Sequence, residues 1–220
     1  VTAPTWAILV PTISQREPLF LRLLVVLLPQ LDAAGGRARV IAWRNDGEPR
    51  LAEVRDAMIN SADAEYVSFV DDDDLVSPDY VSSIVDALDK RPDHVGFRVA
   101  YCVDGIEREI VDHSLQHGRW HRNAAGRLVR DFTHLDPIRR DIATRGRFAT
   151  AKNGRPEDRV WCRQVRPFLF SETYVDDVLY RYLYSESTSS WQRPERLVPS
   201  AAPRPVVDHP YFEWHERSDR

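Results

Sequence analysis

Three observations predict an α/β protein with a parallel sheet and helices on both faces. The first 90 residues alternate short apolar runs with stretches of helical periodicity, in the order β-α-β-α-β-α. The apolar runs end abruptly in polar turn residues, as buried strands do. The third run, Tyr66 to Val70, ends in four consecutive carboxylates, Asp71 to Asp74. Adjacent acids repel one another, so a fold that sets them at a strand's C-terminal edge, where open α/β sheets bind ligands, needs a reason to do so. A divalent cation with oxygen ligands is the simplest reason. A solvated acidic turn that helps cap the next helix is the plainer one.

Taken in order, Trp6 to Val10 is the first strand, closed by Pro11 and Thr12 and followed by a polar loop from Ile13 to Pro18. Leu19 to Leu31 is a helix ended by Gly35 and Gly36. Arg39 to Trp43 is the second strand and turns at Asn45-Asp46-Gly47. Leu51 to Ser61 repeats Leu51, Val54, Ala57 and Met58 at helical spacing. After the acidic edge, Ser77 as N-cap, Pro78 at the first helical position and Asp79 in the first turn open a helix reaching Lys90. Val95 to Val103 alternates as a strand and returns through Asp104-Gly105 to a hairpin partner, Ile106 to Val111. Residues 113–135 are polar and rich in His, Arg and Trp, and read as loop or short strands. Pro137 to Thr144 and Pro156 to Val165 read as helices, and Val178 to Tyr184 as an aromatic strand. From Trp191 onward, Pro194, Pro199, Pro203, Pro205 and Pro210 predict an irregular tail wrapped over the body.

Composition narrows the function classes. The 220 residues suit one large domain, and six Trp, eight Tyr and eight Phe supply large buried areas. A net charge of −4 argues against a dedicated nucleic-acid binder. The charge is uneven: residues 1–112 hold 11 basic and 20 acidic groups, residues 113–220 hold 19 and 14. An acidic, metal-binding half facing an Arg-rich half suits an anionic ligand held between them. The segment Arg119 to Arg147, with eight Arg and three Asp, is the place to look for cleft-facing guanidinium groups. Two cysteines, Cys102 and Cys162, are too few for a disulfide framework, and with no leader read at the start a cytoplasmic location is expected. The most apolar run is broken by Arg22, Pro29 and Gln30 and is too short to span a bilayer. No Gly-x-Gly-x-x-Gly follows the first strand, which removes a dinucleotide fingerprint.

Five features then stand in sequence: Ile8-Leu-Val-Pro-Thr12, Asn45-Asp46-Gly47, Arg55, Phe69-Val70-Asp71-Asp72-Asp73-Asp74, and Glu157-Asp158. Together they resemble the family 2 glycosyltransferases of GT-A fold over about residues 6–190. Leu179-Tyr-Arg-Tyr182 is similar to that family's strand after its Glu-Asp helix. The resemblance implies a GT-A-like open sheet with a Rossmann-like βαβαβα first half and a mixed-sheet second half. It implies one domain over 1–190, with a nucleotide-binding half (1–112), an acceptor-side half (113–190), and a Pro-rich tail (191–220) packed on it. It also implies a nucleotide-diphosphate sugar donor, an acceptor hydroxyl, and Mn2+ or Mg2+, whose charge would offset that of the departing diphosphate.

By that resemblance Asp73 and Asp71 are the metal carboxylates, with Asp71 on the metal or the ribose and Asp72 nearby. Pro11, Thr12, Asn45 and Asp46 line the base pocket. Arg55 contacts base or phosphate, its plainer reading being a solvated helix face. Asp158 is the catalytic base of an inverting transfer and Glu157 a positioning acid, the plainer reading being a first-turn pair at a helix N-terminus. Two departures stand out: Asn45 where the family has an acid, and Ser-Glu-Ser from Ser185 where many relatives place a metal-ligating His. Any of His113, His117, His121, His134, His209 or His215 could substitute, and no metal His is assigned. Trp120, Trp161 and Trp191 are candidates to stack on a sugar ring or to fill the core. Two other functions stay open: a haloacid-dehalogenase-like phosphatase using Asp72-x-Asp74, and a sugar-nucleotide binder without turnover.

Overall fold

The computed structural model describes residues 3–46, 50–149, 157–184 and 207–216. β1 (Trp6–Thr12) lies at the centre of the first half, parallel to β2 (Ala38–Arg44) on one side and β3 (Tyr66–Phe69) on the other. The connections are α1 (Glu17–Ala33) and α2 (Leu51–Ser61), and α3 (Tyr80–Leu88) follows β3. Every residue of β1 is buried, which is the signature of a parallel strand covered on both faces. Alternation divides the core accordingly. Trp6, Ile8 and Val10 pack with Phe20, Leu23 and Leu27 of α1 and Ile84 and Leu88 of α3. Ala7 and Leu9 face the other layer, with Val54, Met58 and Ile59 of α2.

The second half extends this sheet with mixed polarity. β4 (Leu75–Val76) pairs antiparallel with β10 (Glu172–Tyr184), which runs parallel to β5 (His94–Val103). β5 forms a hairpin with β6 (Ile106–His113), and β7 (His121–Arg122) and β8 (Leu128–Arg130) continue beyond it. The hairpin turn holds Asp104 at φ 49° and Gly105 at φ 78°, the paired positive φ of a two-residue type I′ connection. β9 (Ile138–Arg139) stitches the halves together, antiparallel to both β3 and β5. α4 (Arg140–Ala143) follows it, and α5 (Glu157–Val165) packs Trp161 and Val165 onto the α2 layer.

Several elements differ from the sequence reading. Ser77 does not cap α3: its hydroxyl donates to the Asp79 side chain, and Asp79 is the N-cap residue. Gln30 of α1 does that work, its Oε1 accepting the Val81 N–H at 2.9 Å while Nε2 donates to the Ser77 carbonyl at 3.0 Å. Pro137 to Thr144 is a short strand and a four-residue helix rather than one helix. The expected irregular tail contains β11 (Phe212–Glu216), which joins the sheet parallel to β2 and packs Trp214 against Phe20 in a tilted contact, ring centroids 5.7 Å apart. Gly47, Pro156, the Ser-Glu-Ser stretch, Trp191 and Pro194 to Pro205 fall outside the described residues. Trp161 is core, 2% exposed and stacked on Phe148 at 5.0 Å, which removes it as a sugar platform. Among the described residues, no helix is long and apolar enough to cross a membrane.

Gly96 fixes how closely the central strands of the second half approach. A Cβ there would lie 2.6 Å from the His113 carbonyl oxygen and 2.7 Å from Glu172 Oε1. Gly96→Ala is therefore expected to lower folding stability by about 1–3 kcal/mol, the usual range for overpacking. Equilibrium urea unfolding measures this, and an unchanged midpoint would contradict the close approach.

Candidate active site

β3 ends at Phe69, and the chain turns through Asp71 to Asp74, the Asp74 N–H donating to the Asp71 carbonyl at 3.1 Å. Each of the carboxylates meets a different environment. Asp74 is a structural acid, 1% exposed. Tyr180 Oη on β10 donates to its Oδ2 and the Leu183 N–H donates to its Oδ1, both at 2.7 Å. The same Tyr180 hydroxyl accepts the Asp71 N–H at 3.1 Å, so one side chain pins both ends of the acidic turn. Register shifts in β10 between Val175 and Tyr180 set that residue's position, a use of strand irregularity common beside sites. Burial, then the charge of Asp71, hold Asp74 well above the usual carboxylate range.

Asp72 turns toward β1. It accepts from Thr12 Oγ1 at 2.8 Å and from Arg16 Nη1 at 2.9 Å. Burial pushes it up to about 6, against the pull of Arg16. Asp73 is more open, with Oδ2 3.0 Å from the same Arg16 Nη1, and its backbone carbonyl accepts from Arg22 Nη2 at 2.7 Å. Burial raises it too, with Arg16 acting in the opposite direction. Asp72 and Asp74 are thus both nearly fully buried and hydrogen-bonded.

Asp71 is bound to Arg55, Nη2 to Oδ1 at 2.7 Å. Arg55 is buried rather than on a solvated helix face, its guanidinium 5.4 Å from the Phe69 ring centroid. On the other side of Asp71 lies His134, with Nε2 3.5 Å from Asp71 Oδ2. His134 Nδ1 in turn lies 3.7 Å from Asp158 Oδ2. Asp158 Oδ1 accepts the Arg159 N–H at 2.8 Å, so the residue also serves the first turn of α5. Burial works against its ionisation, but His134, Arg55 and Arg130 outweigh it and bring Asp158 down to about 2. Burial likewise opposes the charge on Asp71, and Arg55 and His134 hold it far below the usual range. Burial and Arg55 lower the basicity of His134, while Asp158 and Asp71 more than restore it. The result is a half-buried carboxylate–imidazole–carboxylate row joining the acidic turn to α5.

The remaining candidates line the mouth of β1 and β2. Asn45 N–H donates to the Thr12 carbonyl at 3.0 Å. Asp46 accepts from both the N–H and the hydroxyl of Ser14 and lies 3.5 Å from Arg44 Nε. Pro11, Thr12, Asn45 and Asp46 thus share one edge with Asp72. Glu157 begins α5; its side chain lies outside the described residues. In the Arg-rich segment, Arg139 pairs with Asp93 and Arg140 with backbone carbonyls. Arg130 is the one whose charge reaches Asp158, and it stacks on Trp120 at 4.6 Å.

Sequence reasoning gave no site role to Arg16 or Tyr180 and named His134 only among the histidines that could substitute as a metal ligand. Their partners are 55 or more residues away for Arg16, and 106 for Tyr180 and Asp74, so no local pattern marks them. His134 was one of several histidines without distinguishing context. Among the described residues, no three His, Cys, Asp or Glu side chains converge to hold a metal ion by themselves. The donor set still fits Mn2+ or Mg2+. Asp71 and Asp73 offer hard oxygens, burial leaves Asp73 short of compensating charge, and such ions take one or two carboxylates with substrate phosphates and water.

Comparison with known proteins identifies the family and the fold. Residues 26–145 match Glycosyl transferase family 2. No curated protein matches the chain. Among solved structures, S. aureus TarS 1–349 superposes with a TM-score of 0.59 at 14% identity, over 81% of this chain and 60% of that one. TarS 1–349 in complex with UDP-GlcNAc gives 0.59 and 14%, over 84% and 61%. PcManGT, a mannosyltransferase from Pyrobaculum calidifontis in complex with GDP-Man and Mn2+, gives 0.50 and 15%, over 86% and 59%. The chain thus spans about 60% of the length of these structures, and the likeness establishes an open mixed α/β sheet of GT-A type.

The unusual state of Asp72 is measurable. A folded-state value near 6, above an unfolded value of roughly 3.9, means that the folded protein binds the proton more tightly. Stability is therefore lost as pH rises through that interval and changes no further above it. In metal-free solution, the stability of wild type minus that of Asp72→Asn is expected to fall between about pH 4 and 6 and then level off. A difference that is flat or rises across this interval, in pH-resolved chemical unfolding, would contradict the assignment.

Proposed function

Because the chain belongs to glycosyl transferase family 2, we propose that it transfers a sugar from a nucleotide-diphosphate sugar to an acceptor hydroxyl, by a metal-dependent single displacement with Asp158 as general base. The observation that carries this reading is the row Asp71–His134–Asp158, in which one imidazole separates the Asp158 carboxylate from the acidic turn. Residues 1–112 form the donor half in this reading and residues 113–190 the acceptor side.

The chemistry divides among named residues. Pro11, Thr12, Asn45 and Asp46 form the base-binding edge, and Arg55 steadies Asp71 beside the ribose. Asp73, with Asp71, would hold Mn2+ or Mg2+, which supplies Lewis-acid neutralisation of the diphosphate leaving group. Asp158 accepts the proton of the acceptor hydroxyl as that oxygen bonds to the anomeric carbon. The bond from that carbon to the diphosphate oxygen breaks, and the nucleoside diphosphate leaves with the electron pair. A depressed pKa keeps Asp158 ionised at neutral pH, with Oδ2 3.7 Å from His134 Nδ1 and Oδ1 on the Arg159 N–H. Glu157, the first residue of α5, is assigned in this reading as a positioning acid. One base and no covalent nucleophile give inversion at the anomeric carbon. The relatives in complex with UDP-GlcNAc and GDP-Man support a nucleoside-diphosphate sugar as the donor class.

Two substitutions test the reading. Asp158→Asn keeps shape but cannot take the proton, so donor affinity is expected to stay near wild type while transfer falls ~100-fold or more. Paired calorimetry and product assay measure this; joint loss of binding and transfer would make Asp158 structural, and a non-catalytic binder would show no turnover in either protein. Asp73→Asn is expected to lower turnover at least ~100-fold, because a charged ligand to the leaving-group ion is lost. Near-native turnover of that variant, or full activity of wild type in EDTA, would refute metal dependence.

A further inference from the structure

Arg16 belongs to the 3₁₀ turn Ser14–Arg16 between β1 and α1. Its Nη1 is shared by two consecutive carboxylates, 2.9 Å from Asp72 Oδ1 and 3.0 Å from Asp73 Oδ2. Both Arg16 and Asp73 keep 22% of their side-chain surface exposed, so solvent and a ligand can reach the pair. The neighbouring acids are answered elsewhere: Asp71 by Arg55 and His134, Asp74 by the Tyr180 hydroxyl and the Leu183 N–H. That leaves Arg16 as the guanidinium in contact with both remaining carboxylates, with Arg22 adding positive charge beside Asp73 through its bond to the Asp73 carbonyl. One of the two, Asp73, is the residue through which the proposed function holds a cation.

A guanidinium and a divalent ion cannot share Asp73 without strong like-charge repulsion. The ion must therefore compete with Arg16 when it arrives alone. A diphosphate changes the balance, because its oxygens match the fork of a guanidinium and offer it a replacement for the carboxylate. We infer that Arg16 is the resident counter-ion of Asp72 and Asp73 in the donor-free enzyme and becomes a ligand of the donor diphosphate when the ion loads. This rests on the metal-dependent reading given above. Its consequence is reciprocal coupling: ion and diphosphate each relieve the obstacle to the other, with Arg16 as the element that moves between them.

The test uses Mn2+ and UDP or GDP as probes and needs no turnover. Mn2+ affinity is measured by electron paramagnetic resonance without nucleotide, and diphosphate affinity by calorimetry at saturating Mn2+. For Arg16→Gln, Mn2+ alone is expected to bind about 10-fold more tightly and the diphosphate about 10-fold more weakly, within the usual span of coupling between sites. Unchanged or weaker Mn2+ binding overturns the counter-ion role, and unchanged diphosphate binding overturns the ligand role. Arg16→Lys guards against a folding defect. It keeps the charge and loses the fork, so it should leave Mn2+ binding near wild type and weaken the diphosphate; wild-type behaviour for both overturns the proposal. Wild-type protein that takes up no Mn2+ even with diphosphate present refutes the metal reading itself, whereas normal uptake with unaltered variants refutes only the role of Arg16.

Discussion

Four consecutive carboxylates at the end of a buried strand set the terms for this protein. Nothing in β3 itself can offset their mutual repulsion, so the rest of the chain brings the compensation from elsewhere. β10 supplies a hydroxyl and an N–H to Asp74. The β1–α1 turn supplies Arg16 to Asp72 and Asp73, and α2 supplies Arg55 to Asp71. The elements that supply these partners thereby surround the acidic turn. A site of this kind is dense in charge yet well ordered, because an unpaired carboxylate at such burial would be far more costly than a paired one.

The His134 row extends that order to α5. His134 sits in the loop from Thr133 to Asp136, and Asp136 holds the loop by accepting from the Thr133 N–H at 2.6 Å. Asp136 also faces His113 Nδ1 at 3.2 Å, with both side chains fully buried behind the sheet. Thus the orientation of Asp158 depends on a chain of polar contacts running from β6 through the loop to the helix. Among the described residues, His134 Nδ1 and Nε2 make no hydrogen bond of their own, so the contacts at 3.7 Å to Asp158 and 3.5 Å to Asp71 act through charge.

Much of this was legible in the sequence because its cause is local. The periodicity of Trp6 to Leu88 reflects strands and helices buried on defined faces, and residue spacing records it directly. The acidic turn is contiguous, and Glu157-Asp158 stands at a helix start, so both could be found without knowing what they touch. What escaped is non-local. Gln30 capping α3, Arg16 over Asp72, and His134 between Asp71 and Asp158 arise only when distant segments meet. β11 was misread because prolines around it signal irregular chain, while the pairing of Phe212 to Glu216 with β2 depends on an edge the segment itself does not encode. Trp161 was ambiguous for the same reason: an aromatic ring looks alike whether it meets a sugar or Phe148.

The central claim is spatial: cation, diphosphate and base occupy one cleft, with the acidic turn on one side and Asp158 on the other. A crystal structure of the protein with Mn2+ and a nucleoside diphosphate, with the metal located by its anomalous scattering, tests it directly. The account predicts an anomalous peak at Asp73, diphosphate oxygens completing the coordination, and the Asp158 carboxylate facing the open side of the terminal phosphate. A peak away from the acidic turn, or Asp158 turned out of the cleft that holds the nucleotide, would contradict it.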